Sequence, residues 1–178
     1  MSTFAFGSGA ITLYIIGWVA TIFALYNRDG SKNGLLQIIV PIAIALHTVS
    51  AYQLLSKDGG LDLSLMKIIT LLALVINSLV YFSRMYKSIQ SLNLALFPIS
   101  VITLLAALNS TSTKATIYVP LSLQAHILIS ILAYSFLAIA ALQALVVGYQ
   151  NWQLKNKHQN ALMRNMPALE TMEKLLFK

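Results

Sequence analysis

Five long apolar runs, separated by short polar segments, constrain this chain more than any other feature of it. They cover roughly residues 9–26, 35–55, 63–82, 92–109 and 121–149. A helix needs about 20 predominantly apolar residues to cross the hydrocarbon core of a bilayer. A transmembrane β-barrel would show segments of about 10 residues with alternating polarity, whereas these runs are continuous. Lipid offers no partner to open backbone, so the helix is the remaining solution. The expected fold is all-α, a polytopic transmembrane helix bundle with five spans over residues 1–149.

Composition supports this. Of 178 residues, 58% are apolar and 10% are charged, against ~25% charged in an ordinary soluble domain. So little charge cannot coat a water-soluble globule. The lack of cysteine excludes a disulfide framework, a thiolate metal site, a cysteine nucleophile and covalent haem attachment through CxxCH. The N-terminal MSTFAFGSGA has no basic region ahead of the first run. That run is therefore expected to be a retained helix, not a cleaved signal peptide.

The net charge of +7 reads as orientation. The basic residues are scattered between apolar runs and form no face for nucleic acid. Short loops that stay inside carry the Lys/Arg excess. Arg28, Lys32, Arg84, Lys87, Lys155, Lys157 and Arg164 fall on one side, and Lys57, Lys67 and Lys114 on the other. The N-terminus is thus expected outside and the C-terminal tail inside.

Pro41 and Pro98 interrupt the second and fourth runs. Neighbouring groups in a bundle re-satisfy the carbonyl that such a proline frees, so both read as kinks and not gates. The fifth run, 121–149, is ~43 Å long as a helix, which requires tilt or protrusion. Residues 150–178 form a basic cytoplasmic tail. It turns periodic after Pro167, with Leu169, Met172 and Leu176 on one face, and reads as an amphipathic helix or the start of a further span.

An ionisable group inside a span is expensive and therefore informative. No Asp, Glu or Arg lies deep in a run, and Lys67 is near enough to a helix end to snorkel. His47 in the second span and His126 in the fifth remain, while His158 falls in the tail. His47 lies eight residues, ~12 Å, below the outer end at Leu55, and His126 five residues, ~8 Å, below Leu121. Two imidazoles at similar depth suit a bundle cofactor site, including axial ligation of haem iron. A membrane histidine taken singly more often just hydrogen-bonds across helices. His126, Ser130 and Tyr134, followed by Ala141, Ala144 and Gly148, make one small and polar stripe, expected to pack on protein or a ligand. Thr70 and Asn77 share a face of the third span and read as interhelical glue. P-loop, G-x-S-x-G and H-E-x-x-H motifs are all absent.

The stretch LSLQAHILISILAYSFLAIAALQALVVGYQNWQLKNK, followed by NMPALETMEKLLFK, resembles the cytochrome c assembly membrane-protein family. The likeness is to its CcsA/HemX-like inner-membrane branch. It is carried by His126 opening a helix, Ser130 and Ala133-Tyr134 after it, the QLKNK exit and the run that begins at Met166-Pro167. Across the first four spans it is a matching plan, with a histidine in the second and GGLDLSL leading into the third.

The resemblance implies a multi-pass protein of the bacterial inner (cytoplasmic) membrane with about eight helices, the first five of them in this chain. It implies haem as cofactor and His126 as a haem ligand. His47 is assigned as a second ligand on depth alone. The tryptophan-rich outer loop of haem exporters has no counterpart here, because the tryptophans are Trp18 and Trp152. The expected function is haem handling of the cytochrome c assembly type, with haem between helices near the outer face and no catalytic residue of the chain's own. The alternative is a non-catalytic HemX-like regulator that contacts a membrane or cytoplasmic protein through its basic tail. A transporter fragment ranks third. The bilayer is the one partner common to all three.

Overall fold

The structure, a computed structural model, describes residues 2–27, 32–57, 60–83, 90–110 and 120–156. They form five helices, α1 (Ser2–Asn27), α2 (Lys32–Leu55), α3 (Leu65–Ser83), α4 (Gln90–Asn109) and α5 (Leu121–Lys155). A two-residue antiparallel ladder joins α2 to α3, with Ser56 opposite Leu61 and Lys57 opposite Gly60. The amphipathic segment expected after Pro167, His158, and the loop cations Arg28, Arg84, Lys87, Lys114, Lys157 and Arg164 lie outside the described residues.

All five helices contain an apolar stretch long enough to cross a membrane. Their outward faces carry large apolar side chains such as Ile15, Phe23, Ile38, Ile102, Leu128 and Leu137. Apolar surface on this scale is a liability in water and the ordinary exterior of a protein in hydrocarbon. The expected polytopic all-α bundle is the one found.

Two helices run past their expected ends. α1 begins at Ser2 instead of near Gly9, and Ser8 bonds its hydroxyl back to Ala5 O at 3.1 Å. α5 continues to Lys155, six residues beyond Tyr149, through a segment of good helix formers, Gln, Leu and Lys. Polarity marks where a helix leaves the hydrocarbon and does not by itself end the helix.

Neighbouring helices close into a ring: α1 packs on α2, α2 on α3, α3 on α4 and α4 on α1, while α5 rests on α3. One apolar core joins α1, α2 and α4 around Tyr14, Leu36, Val40, Phe97 and Leu104. A second joins α3 and α4 through Ile76, Val80, Leu92 and Leu96, and Ala138, Ile139 and Leu142 of α5 pack against it. Close approach depends on small residues at the contact. A Cβ on Gly17 would stand 3.2 Å from the Phe97 ring, and one on Gly7 would stand 2.7 Å from a Leu108 methyl.

Polar side chains tie the ring together. Thr70 donates to Thr103 O at 2.8 Å, and Asn77 Nδ2 donates to Ser100 Oγ at 2.6 Å. Both link α3 to α4, the interhelical role expected for Thr70 and Asn77. Pro98 lacks the N–H that would reach Leu94 O. Trp18 of α1 supplies it, donating Nε1–H to that carbonyl at 3.0 Å. Lys67 does not snorkel. Its ammonium turns back to Asp62 Oδ2 at 2.6 Å, and both side chains are buried. The other carboxylate oxygen, Oδ1, accepts the Ser64 N–H at 3.1 Å, which fixes the approach to α3.

Candidate functional site

His47 sits one helical turn below Ala51 on the α2 face that turns to α1. It is fully buried, as are Ser50 on the same face and Tyr14 opposite. Tyr14 Oη and His47 Nδ1 lie 3.2 Å apart, with the rings edge to face at 84° and centroids 5.7 Å apart. Phe97 closes the Tyr14 ring from α4 at 5.7 Å. Tyrosine at position 14 carried no periodic signal in the sequence, since α1 is apolar nearly all round. Its pairing with His47 is a tertiary fact.

The bond leaves His47 Nε2 without a partner among the described residues, and Ser50 Oγ likewise. Two tautomers satisfy the contact. Tyr14 O–H donates to Nδ1, or Nδ1–H donates to Tyr14 Oη and leaves a lone pair on Nε2. The second is the arrangement usual in a ligating histidine, whose other ring nitrogen donates to an orienting acceptor.

His126 has a different setting. It lies one and a half turns into α5 on an exposed face. Tyr134 on the same stripe is 63% exposed, and Ala141, Ala144 and Gly148 are exposed as well. The side of α5 that packs on the bundle is Ile131, Ser135, Ala138, Ile139 and Leu142. Most of the stripe expected to pack on protein or a ligand is thus turned about one residue away from the helix contact, and nothing lies within 4 Å of a Cβ placed on Gly148. Only 11% of the α5 span is buried, against 39% for α1, α3 and α4.

The two histidines are not brought together. His47 faces α1, and α5 rests on α3. As a donor set for haem, two neutral imidazoles are suitable chemistry. His126 offers an open ring that fits such a group. His47 offers an unpartnered Nε2, but complete enclosure leaves no room for a macrocycle at that nitrogen in this arrangement. No group of three or more His, Asp or Glu side chains that could hold a metal ion occurs among the described residues.

Five apolar spans and a polar interior of hydrogen-bonded side chains define an integral membrane protein of the polytopic helical class. Within that class, the chain is similar to the inner membrane protein YpjD of Escherichia coli K12, O6:H1 and O157:H7. It is 26% identical to each over 171 residues, which is 94% of this chain and 65% of theirs. The chain thus spans slightly under two thirds of the length of these curated relatives. With the five spans, the likeness makes this an integral inner-membrane protein. No family model matches the chain, and no solved structure matches it.

Proposed function

We propose that the protein handles haem in the manner of cytochrome c assembly proteins, with the α5 end that carries His126 on the outer side of the membrane. The observation that supports this most is the presentation of His126, an imidazole near one end of a long helix on a face the bundle leaves open. Haem supplies an iron whose axial position takes a neutral imidazole nitrogen. In this reading His126 is the first ligand. His47, enclosed against Tyr14 and not brought near His126, is not placed to supply a second imidazole in this arrangement.

The test is a spectrum. The protein purified from cells supplied with haem should show a Soret band that His126→Ala removes or shifts. Absence of bound haem, or a band unchanged in both His126→Ala and His47→Ala, would contradict the assignment.

A second reading has one observation in its favour. The bond to Tyr14 and complete burial account for His47 as a structural residue of the α1–α2 contact. Under that reading the protein is a non-catalytic regulator, and the basic tail beginning near Lys155 carries the partner contact. Charge reversal of Lys155, Lys157 and Arg164 would then abolish function in cells while both histidines could be replaced without loss.

A further inference from the structure

A cavity of about 300 Å³ opens between α3, α4 and α5, away from either histidine. Its wall is apolar, with Ala73, Leu96, Ala141 and Leu145 among its residues, and the polar side chains on it are Asn77 and Ser100. Volume and lining fall at the small end of the range for ligand sites, which pair an apolar wall with few placed polar groups.

The hydrogen bonds on this wall run one way. Asn77 Nδ2 donates to Ala73 O at 2.7 Å and to Ser100 Oγ at 2.6 Å. Ser100 then spends its own hydrogen on Leu96 O at 2.8 Å. Both amide hydrogens and the hydroxyl hydrogen are therefore committed, which leaves Asn77 Oδ1 as an acceptor with no donor among the described residues. It is not among the polar atoms sealed in protein without a partner, so it keeps access to the cavity it lines. The Asn77 side chain as a whole is 4% exposed.

Depth narrows what can answer that acceptor. Asn77 lies six residues, ~9 Å, from the nearer end of α3 at Ser83. That places it within the hydrocarbon. Water is scarce there, and an acyl chain or ester of a phospholipid has no donor to give. An unanswered amide oxygen in such a setting is costly.

We propose that this cavity binds an apolar, lipid-soluble molecule through a single hydroxyl. The O–H donates to Asn77 Oδ1 and the hydrocarbon lies along Leu96, Ala141 and Leu145. The site is independent of haem and of both histidines.

The probe is dodecanol carrying a mid-chain diazirine, photolysed with the protein in phospholipid nanodiscs and mapped by mass spectrometry. Labelling should concentrate on Leu96, Ala141 and Leu145. Unlabelled dodecanol should compete roughly fivefold more effectively than dodecyl methyl ether, which has no donor. Asn77→Leu should erase that difference. Ala141→Phe, which fills the cavity without touching the Asn77–Ser100 link, should remove the labelling. Labelling spread evenly over outward residues such as Ile102 and Leu128 would overturn the proposal. So would equal competition by the alcohol and its ether on the unaltered chain, a comparison that stands even if Asn77→Leu fails to fold.

Discussion

The indole of Trp18 donates to the carbonyl of Leu94, the oxygen that Pro98, four residues on, cannot reach with a backbone N–H. A break in the α4 ladder is thereby converted into a link between α1 and α4. The kink and the contact that tolerates it are one feature.

This link predicts non-additive energetics. Trp18→Phe should cost about 0.5–1.5 kcal/mol of stability in mixed micelles, since hydrogen bonds between membrane helices are modest. Pro98→Ala restores a backbone donor to Leu94 O, so Trp18→Phe should cost less in that background. A double-mutant cycle by denaturant titration measures the difference. Strictly additive effects would show that the carbonyl does not couple the two residues.

The buried pair of Lys67 and Asp62 should behave as a unit. Lys67→Met removes the cation beside a buried carboxylate and should cost about 3 kcal/mol or more. Adding Asp62→Asn removes the charge yet keeps an acceptor for Ser64 N–H, and should recover most of that loss. The readout is again unfolding in detergent, compared across the two variants and the unaltered chain.

Glycines separate packed from open helix faces. Gly17→Ala drives a methyl against Phe97, whose ring is held in the core, and should destabilise by roughly 1 kcal/mol. Phe97→Leu should relieve part of the cost. Gly148→Ala meets nothing within 4 Å and should be neutral or stabilising by up to about 1 kcal/mol from helix propensity. The thermal unfolding midpoint should fall for Gly17→Ala and hold or rise for Gly148→Ala.

Removing the Tyr14 hydroxyl leaves His47 Nδ1 buried without its partner. Tyr14→Phe should therefore cost about 1–2 kcal/mol and shift the ¹⁵N resonances of the His47 ring. His126, on its open face, should keep its resonances. A change confined to His126 would place the tyrosine contact wrongly.

Much of the architecture was legible because each span must satisfy its own backbone, which makes apolar length a direct reading of helix position. The second to fourth helices begin and end within about two or three residues of where their apolar runs do. Partner choice was not legible in the same way. Lipid-facing and core-facing residues are both apolar here, so periodicity could not show that His47 meets Tyr14 or that Trp18 answers Pro98. On α5 the small and polar residues suggested a stripe facing protein or a ligand, and periodicity did not show that Ile131, Ser135 and Leu142 make the helix contact. Asp62 was invisible for another reason. It sits in a loop in the sequence, and only the turn before α3 folds it under Lys67.

An imidazole of this chain, that of His126, is proposed to hold haem. Haem titration of the purified protein in detergent, followed by low-temperature electron paramagnetic resonance of the ferric complex, tests it most directly. The expected result is a stoichiometric complex with an imidazole-ligated signal that His126→Ala abolishes, with helicity unchanged. A titration that never saturates, or a signal indifferent to both His126→Ala and His47→Ala, would contradict it.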